Sequence, residues 1–347
     1  MAEAARARGL DPVVRPLPDG GEGTAEALAD LWQMPVRAVA IDDPLGRLHT
    51  APLPIGVVDG KRTAVVESAA AIGLPLLSHQ ERDPWHASSR GVGQLIRGAL
   101  DAGAARILVA LGGTATVDGG AGLLYELGVR FFDPQGLPLS PRPRELLQLD
   151  RVDAAGLDPR LTTVEIQGLS DVESPLLGPA GARMYMRQKG VQQSDEAQFE
   201  QLLAKLHPAF AHNKAAGAAG GLGAAVLALG GRIVAGAEFV MAAQNLDALV
   251  RTADVVVGGE GTLDAQTAQG KSLARLAQAC RAAGVPLIAL VGGVEASLDG
   301  VIAVPIVPGP CTTADALRAA ERNVRDAMAR VLDLLAVGRA LERNRSI

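Results

Sequence analysis

Short apolar runs alternate with Ala- and Leu-rich segments along most of the chain. Runs of apolar and β-branched residues predict strands at 13–17, 36–42, 106–111, 161–169, 254–258, 286–291 and 301–307. Segments of helical period predict helices at 24–32, 92–102, 192–211, 272–283 and 313–336. Because strand and helix alternate repeatedly, the pattern predicts an α/β fold built on a doubly wound parallel sheet.

One part of the pattern departs from this alternation. Residues 36–68 carry apolar runs in direct succession, and an Asp59-Gly60 pair separates the last two. An Asp-Gly pair between apolar runs is among the stronger short signals for a β-hairpin. The antiparallel meander therefore indicates a second subdomain. Residues 133–163, rich in Pro, Leu and charge, are predicted to be an irregular connection.

Glycine-rich loops with carboxylates occur at three places, each directly after a predicted strand. After the strand at 254–258, glycines are expected to turn the backbone sharply, with Glu260 and Asp264 at the mouth of the turn. Residues 18–24 (PDGGEGT) and 111–122 (LGGTATVDGGAG) have the same character. Open α/β sheets bind ligands just beyond the carboxyl ends of their strands, so three such loops predict a shared ligand. The alternative for any single loop is that its acids only cap the following helix.

Composition limits the class of partner. The 347 residues carry a formal net charge of −5 without a dense block of Lys and Arg, which argues against nucleic acid or an anionic membrane as the main partner. A small-molecule substrate is the better expectation. Cys280 and Cys311 have no paired spacing, so neither a disulfide framework nor a zinc site is supported, and Cys280 is expected in the core. No membrane-spanning stretch or leader pattern is seen, and we expect a cytoplasmic protein.

Two reaction classes need carboxylates among glycines. Phosphoryl transfer uses acids to hold magnesium, glycine-rich backbone to bind phosphate and a cation to neutralise charge, and Lys189 and Lys271 are candidate cations. Dinucleotide binding needs G-x-G-x-x-G opening a helix directly after a strand, and none of the three loops has that spacing. Residues 265–272 (AQTAQGKS) fall one residue short of a Walker A motif. The simpler interpretation of Lys271 is a solvated lysine at a helix start.

Sequence patterns of several other enzyme classes are missing. The chain has no G-x-S-x-G nucleophile elbow and no H-E-x-x-H zinc motif. No two of its histidines stand at metal-ligand spacing. Each of them is therefore expected to have a surface role: His49, His79, His86, His207 and His212.

Together these motifs resemble the bacterial glycerate kinase type I family over nearly the whole chain. The resemblance rests on separate motifs in the same order: PDGGEGT at 18–24, SRGVG at 89–93, GGTAT at 112–116, DGGAG at 118–122, SDV at 170–172, PLLG at 175–178, QKG at 188–190, GAAGGLG at 217–223, GEG at 259–261 with Asp264 and Gln266, and Gly270-Lys271. Members of this family transfer phosphate from ATP to D-glycerate in a magnesium-dependent reaction that yields 2-phosphoglycerate.

The resemblance implies two α/β domains with the active site between them. We expect a Rossmann-like domain with a doubly wound parallel sheet, discontinuous in sequence, from 1–35 and 231–347. A mixed-sheet middle domain with the antiparallel meander is expected from 36–230. Family members usually begin with a strand and a Pro-Asp-Ser-Phe-Lys-Gly segment before the first helix, and this chain is expected to start partway through that helix. It departs from the family's common residues at three further positions, Ser174, Tyr185 and Arg187.

The resemblance and the chemistry of the side chains assign roles to residues. Asp171 or Asp118 is expected to be the base that accepts the proton of the glycerate hydroxyl, and Lys189 is expected to neutralise phosphate charge. The residues expected to bind substrate are Asp19, Ser89, Arg90 and Thr114. Those expected to bind ATP are Gly112, Gly113, Gly220, Gly221, Glu260 and Lys271. Magnesium is expected at Glu22, Glu260 and Asp264, with Asp19 as a further candidate.

Two other functions stay open at this point. The chain could be a non-catalytic nucleotide- or metabolite-binding protein, in effect a degenerate kinase, or a kinase for another small hydroxy acid. Phosphate release from ATP, measured with and without D-glycerate, distinguishes a kinase from a non-catalytic binding protein. A series of hydroxy acids distinguishes a glycerate kinase from a kinase for another acid. Composition and spacing determine neither the nucleotide preference nor the oligomeric state, and a homo-oligomer stays open.

Overall fold

The structure of the protein is a computed structural model, and it describes residues 1–264 and 272–345. The chain has an α/β fold, as the alternation of strands and helices predicts, and forms two compact units. One unit joins Met1–Leu17 to Met241–Ile347, and the other is Pro18–Val240.

The bounds of the regular elements are as follows. The strands are β1 (Val36–Asp42), β2 (Leu48–Val58), β3 (Lys61–Glu67), β4 (Arg106–Ala110), β5 (Arg130–Phe132), β6 (Pro138–Leu139), β7 (Arg151–Asp153), β8 (Glu165–Leu169), β9 (Arg232–Val234), β10 (Val256–Leu263), β11 (Leu287–Val294) and β12 (Val301–Pro305). The α-helices are α1 (Ala2–Arg6), α2 (Thr24–Leu31), α3 (Ser68–Ile72), α4 (Arg90–Asp101), α5 (Ala121–Glu126), α6 (Pro143–Leu146), α7 (Glu196–Leu206), α8 (Ala218–Ala228), α9 (Gly236–Ala243), α10 (Leu246–Arg251), α11 (Ser272–Ala283), α12 (Thr313–Arg318) and α13 (Ala320–Arg345).

The unit Pro18–Val240 is built around a six-stranded sheet with the strand order β1-β2-β3-β4-β8-β9. Strands β1 to β3 are antiparallel neighbours, whereas β3, β4, β8 and β9 run parallel. Ile107, Leu108 and Val109 in β4 are fully buried, which is typical of a central parallel strand covered on both faces. This arrangement confirms the predicted mixed sheet with its antiparallel meander.

The predicted hairpin between β2 and β3 is also confirmed. Val58 pairs with Lys61 across the turn, and both turn residues, Asp59 and Gly60, have positive φ (51° and 75°). Two positive φ angles in succession are the requirement of a type I′ turn, which matches the right-handed twist of the flanking strands. The Asp-Gly pair therefore sets the register of the meander.

Two sequence-based expectations, one for residues 13–17 and one for residues 133–163, are wrong. Residues 13–17 form no strand, and Val13 and Val14 are 64% and 55% exposed. Prolines at 12, 16 and 18 cannot donate to a strand ladder, which accounts for the absence of a strand there. Residues 133–163 are not merely irregular, since β6 and β7 flank β5 in a small antiparallel sheet around the buried Phe131.

The unit that joins Met1–Leu17 to Met241–Ile347 contains the parallel sheet β10-β11-β12. Its buried residues form two clusters, one between the sheet and α11 and one that includes α13 and Ala5 of α1. Cys280 is buried in the first cluster, as expected. The helix predicted over 313–336 is found as α12 and the longer α13.

Strand β10 does not end where the sequence predicted. It continues through Gly258, Gly259 and Gly261 to Leu263, and Glu260 stays in register with Val291 of β11. A Cβ at Gly258 would lie 3.3 Å from the side chains of two leucines of α11. At this position the glycine permits a close helix–sheet approach, and the expected sharp turn is absent.

The contacts divide the chain at 17/18 and 240/241, whereas the sequence predicted 35/36 and 230/231. Helix α2 packs against β2 and β3, so it belongs with the large sheet. Strand β9 pairs with β8 through Gly168 and Ile233, which places it in the same sheet. Neither contact is visible in the hydrophobic pattern, because both join segments far apart in sequence.

Among the described residues, no helix combines the length and the apolar character needed to cross a membrane.

Candidate active site

Four parallel strands of the large sheet end at the same level. Glu67, the last residue of β3, pairs with Ala110 of β4; Ala110 pairs with Leu169 of β8, and Leu169 pairs with Val234 of β9. The residues that follow these strands therefore lie along one edge of the sheet. Ligands of α/β sheets bind at this edge, so we call it the strand-end edge.

The acidic glycine loop, residues 18–24, packs directly on the strand-end edge. A Cβ at Gly20 would lie 2.6 Å from the carbonyl oxygen of Leu169, and one at Gly236 would overlap the carbonyl oxygen of Asp19. Gly112 approaches the same loop, because its Cβ would lie 2.7 Å from Cα of Gly21. These contacts are between backbones and leave no room for side chains. Two of the three glycine loops therefore meet.

The predicted acids of this loop face outward. Asp19 and Glu22 are exposed, and Oδ1 of Asp19 accepts a hydrogen bond from the Gly21 N–H at 3.2 Å. Oε1 of Glu22 lies beside Gly113, since a Cβ at Gly113 would be 2.7 Å from it. The Glu22 carboxylate is thus presented at the glycine turn that follows β4.

Asp171 comes two residues after β8 and is half-buried. Its Oδ1 accepts a hydrogen bond from the N–H of Ala237, in the first turn of α9, at 3.1 Å. This bond fixes the direction of the carboxylate. Asp171 therefore belongs to the strand-end edge, beside the acidic glycine loop that packs on Leu169 and Ser170.

Asp118 has a different environment. It is fully buried, and its oxygens accept hydrogen bonds from the Ser89 N–H (2.7 Å), the Ser89 hydroxyl (2.8 Å), and the N–H groups of Gly120 and Gly122. Burial raises the pKa of the Asp118 carboxyl, and these donors oppose the rise. The arrangement ties the start of α4 to the start of α5. Both Ser89 and Asp118 thus hold loops in place.

The neighbouring His207 was expected at the surface, and this is wrong. It is 3% exposed, its Nε2 lies 2.6 Å from the carbonyl oxygen of Gly119, and burial lowers the pKa of its imidazole. The position at the C-terminal end of α7 brings the ring under the turn that carries Asp118. The sequence showed only a lone histidine after a helix, which does not reveal burial.

Lys189 is buried, with 4% of its surface exposed. Its Nζ donates to Oγ1 of Thr114 at 2.8 Å and to the carbonyl oxygen of Thr116 at 2.9 Å. Burial lowers the pKa of the Lys189 ammonium from 10.5 to about 7, and the charge of Asp118 opposes this effect. The lysine thus joins the turn after β4 to the segment that precedes α7.

The glycines at 220 and 221 also serve loop packing. Both have positive φ (72° and 96°), and Ala219 before them has φ 53°, so three residues in succession adopt the left-handed conformation. A Cβ at Gly220 would overlap the carbonyl oxygen of Thr116, and one at Gly221 would lie 2.7 Å from Cα of Gly119. These contacts explain both glycines by close approach of two protein loops.

Arg90, predicted to bind substrate, is bound by protein carboxylates. Its Nε donates to Glu126 at 2.8 Å, and its Nη1 lies 3.4 Å from Asp42. Glu126 also binds Arg97, so the buried carboxylate is shared between two guanidinium groups. Arg90 therefore stabilises the packing of α4 on α5.

The remaining predicted residues lie in the other unit. Glu260 is in β10 and Asp264 directly follows it, and both are half-buried. Lys271, together with Gln266 and Gly270 of the motifs, lies outside the described residues. Among the residues that the structure describes, no three His, Cys, Asp or Glu side chains are grouped so that they could hold a metal ion.

Sequence reasoning missed two residues at the strand-end edge. Glu67 closes β3, and its carboxylate accepts hydrogen bonds from the N–H groups of Gly23 (3.2 Å) and Ala25 (2.9 Å). The hydroxyl of Ser68 donates to the carbonyl oxygen of Ala110 at 2.6 Å. An acid at the end of an apolar run that predicts a strand was the available signal.

Comparisons with known proteins identify the family of the chain. The glycerate kinase family model matches residues 2–336. The glycerate kinase of Bacillus subtilis (strain 168) is 37% identical over 93% of this chain and 89% of its own, and the glycerate 2-kinase of Escherichia coli (strain K12) is 36% identical over 93% and 88%. The crystal structure of a protein assigned as glycerate kinase 2 of Salmonella typhimurium LT2 superposes with a TM-score of 0.79 at 35% identity and covers 97% of this chain and 93% of its own. The resemblance found in the motifs is confirmed, and the chain belongs to the glycerate kinase family.

Proposed function

We propose that this protein is an ATP-dependent kinase that phosphorylates D-glycerate to 2-phosphoglycerate. One observation carries the proposal: in a chain of the glycerate kinase family, an acidic glycine loop, a second glycine turn and an oriented aspartate meet at one strand-end edge. Phosphoryl transfer needs little covalent chemistry from the protein, and depends on positioning and on stabilisation of charge. An edge of this kind supplies both.

The proposed reaction is in-line attack by the 2-hydroxyl oxygen of glycerate on the γ-phosphorus of ATP. A new P–O bond forms to this oxygen, while the bond between the γ-phosphorus and the bridging oxygen of ADP breaks. The hydroxyl proton passes to a carboxylate of the protein. The products are ADP and 2-phosphoglycerate.

We assign the base role to Asp171 in preference to Asp118. The Ala237 N–H orients the half-buried Asp171 carboxylate, which follows a strand end as a catalytic group of this fold class does. Asp118 is fully buried, and four donors already occupy its two oxygens. A substrate hydroxyl would have to displace these donors to reach it, so Asp118 is a poor candidate for proton transfer.

The donor set at the strand-end edge fits a magnesium ion. Asp19 and Glu22 present exposed carboxylate oxygens from one loop, and magnesium binds one or two carboxylates and keeps several waters or phosphate oxygens. When bound with ATP, the ion would neutralise the charge of the phosphate oxygens. The roles predicted for Glu260, Asp264 and Lys271 stay predictions.

Lys189 is proposed as a positioning residue. Because it is buried and donates to Thr114 and Thr116, it acts on phosphate binding through the turn that contains Gly112 and Gly113. Loss of this lysine would free the turn that the resemblance assigns to ATP.

The test is turnover by the full chain with ATP, magnesium and D-glycerate, followed by formation of ADP. Phosphorus NMR identifies the hydroxyl that carries the new phosphate. We expect ADP formation that depends on D-glycerate and a product phosphorylated at the 2-position. L-glycerate, lactate and tartronate serve as competing hydroxy acids, and turnover with one of these in preference to D-glycerate would favour a kinase for another acid.

Nucleotide binding is measured in parallel by calorimetry. A folded protein that binds ATP or D-glycerate without any turnover would contradict the proposal and favour the non-catalytic binding protein. A product phosphorylated at the 3-position would retain the kinase and reject the proposed regiochemistry.

A further inference from the structure

We propose that Glu67 and Ser68, where β3 meets α3, are positioning residues that hold the two substrate-facing loops of the strand-end edge in register. Glu67 anchors the acidic glycine loop, and Ser68 anchors the turn from Ala110 to Gly113. The inference rests on the proposed function, because the loops are substrate-facing only if the strand-end edge binds glycerate or ATP.

The contacts of Glu67 need a carboxylate. It is 8% exposed, and its two oxygens accept hydrogen bonds from two different backbone N–H groups, Oε1 from Gly23 and Oε2 from Ala25. Both partners are donors, and they bind different oxygens. In this arrangement an amide side chain accepts from one partner with its oxygen and turns its NH2 group, a donor, toward the other. An apolar side chain would leave both N–H groups without this acceptor.

The anchored segment is the start of a helix. Gly23 is the residue before α2, and it offers no side-chain cap because it is a glycine. The N-terminal N–H groups of a helix need partners and attract negative charge, and Glu67 supplies both from a neighbouring strand. The helix start and the acidic loop before it are therefore fixed to the end of β3.

A buried carboxylate at this place is costly for folding alone. Burial raises the pKa of Glu67, with the charges of Glu22 and Glu26 adding to the rise, and the hydrogen bonds from Ala25 and Gly23 oppose it. Removal of a carboxylate from water is repaid only when hydrogen bonds satisfy it, and a well-packed apolar residue is often as stable. The advantage of a carboxylate at Glu67 is therefore that it fixes the position of the acidic glycine loop.

Ser68 does the same for the second loop. Its hydroxyl donates to the carbonyl oxygen of Ala110 at 2.6 Å and lies 3.2 Å from that of Gly112, while the Gly112 N–H lies 3.4 Å from the hydroxyl oxygen. Ser68 is fully buried, so water does not replace these contacts. The turn after β4 is held at its first residues.

The two loops also touch each other. A Cβ at Gly112 would lie 2.7 Å from Cα of Gly21, and a Cβ at Gly113 would lie 2.7 Å from Oε1 of Glu22. A shift of one loop therefore displaces the other. Two adjacent residues, Glu67 at the end of β3 and Ser68 at the start of α3, thus set the spacing between the glycine turn and Glu22.

The decisive variant is Glu67→Gln, which keeps the shape of the side chain and turns one acceptor into a donor. Hydrogen–deuterium exchange of the amides at 20–26 should rise about tenfold or more, since one hydrogen bond to a charged acceptor is lost and one donor is left facing another. KM for D-glycerate should rise about tenfold, with kcat within about threefold, because a displaced loop weakens binding more than the chemical step.

Asp133→Ala is the matched control, since an asparagine at this position would keep the oxygen that accepts both bonds. Asp133 is also 8% exposed, and its Oδ1 accepts two backbone N–H bonds, from Gln135 and Leu137, in the turn between β5 and β6. The variant should lose a comparable amount of thermal stability and leave both KM and the exchange at 20–26 unchanged. An equal rise of KM in the control would overturn the inference, because it would show a general effect of lost stability.

Ser68→Ala provides a milder second variant in case Glu67→Gln does not fold. It should raise exchange at 111–113 and raise KM by a few-fold, and its effect on KM should not add to that of Glu67→Gln, since residues that share contacts couple. Unchanged exchange at 20–26 in Glu67→Gln and at 111–113 in Ser68→Ala would reject the anchoring. The exchange readout needs no turnover, so a wild-type protein without kinase activity would reject the proposed function and leave the anchoring itself to be judged separately.

Discussion

The chain contains the pentapeptide Gly-Gly-Glu-Gly-Thr twice, at 20–24 and at 258–262, and the two copies adopt different structures. In the first copy, Gly20 and Gly23 have positive φ (93° and 80°), and the segment turns into helix α2. The second copy forms the middle of strand β10. Identical residues thus give a turn in one unit and a parallel strand in the other.

The neighbours of each copy account for the difference. Prolines at 16 and 18 prevent a strand before the first copy, helix-forming residues follow it, and Glu67 accepts N–H groups from Gly23 and Ala25. Three valines precede the second copy, and β11 pairs with four of its five residues. Glycine permits either conformation, and the surrounding partners select one.

The largest expected effect tests whether the strand-end edge, where the first copy lies, is the site of catalysis. Asp171→Asn keeps the shape of the side chain and removes its basicity, so we expect kcat to fall by about 10²–10⁴-fold. Thermal unfolding should be nearly unchanged. Asp59→Asn at the hairpin turn is the control and should retain wild-type kcat, since Asn tolerates the positive φ of that position. An active, normally folded Asp171→Asn protein would reject Asp171 as the base.

The next effect compares the first glycine of each copy by chemical denaturation. Gly20→Ala should destabilise its unit by about 3 kcal/mol or more, because the Cβ would meet the backbone of Leu169 at 2.6 Å and φ is 93°. Gly258→Ala should change stability by about 1 kcal/mol or less, since its Cβ would meet only leucine side chains at 3.3 Å. Equal costs in the two variants would mean that the copies have similar surroundings.

The third effect is the pH dependence of stability, compared between the wild-type protein and Lys189→Met. Lys189 is buried at the strand-end edge, where the first copy lies. The pKa of Lys189 falls from 10.5 to about 7 on folding, so between these values the unfolded chain holds one more proton than the folded one. Wild-type stability should therefore rise with pH in this window, by at most about 1.4 kcal/mol per pH unit, relative to the variant. Parallel stability profiles of the two proteins would contradict the lowered pKa.

The smallest expected effect compares the last glycine of each copy. Both positions have open space around an added Cβ, but φ of Gly23 is 80°, whereas Gly261 lies in an extended strand. Gly23→Ala should cost about 1 kcal/mol from backbone strain alone, and Gly261→Ala should cost about 0.5 kcal/mol or less. Unfolding midpoints measure both. A neutral Gly23→Ala would show that the loop relaxes without strain.

Local signals predicted the parts of the fold that depend on neighbours in sequence. The Asp59-Gly60 pair predicted the hairpin because both residues accept positive φ, and the apolar run at 106–111 predicted β4 because a buried strand needs no polar alternation. The apolar run at 161–169 predicted a strand directly before Asp171, and β8 confirms it.

The remaining parts depend on partners that no local pattern shows. Gly258 was interpreted as a turn residue, and the α11 leucines that pack over it explain why the strand continues. Gly220 was assigned to ATP, and its contact with Thr116 is a loop–loop approach between distant segments. Glu67 carried only a strand-end signal, because its partners Gly23 and Ala25 lie far from it in sequence.

The unit that joins Met1–Leu17 to Met241–Ile347 has a consequence for synthesis on the ribosome. Helix α1 packs against α13, and Nε of Arg8 lies 2.8 Å from Asp333, so the opening residues find their partners only when the last helix has been made. Pro18–Val240 is complete long before that moment. Because domains fold as units while the chain emerges, we expect the large sheet to form on the nascent chain before α1 can pack against α13.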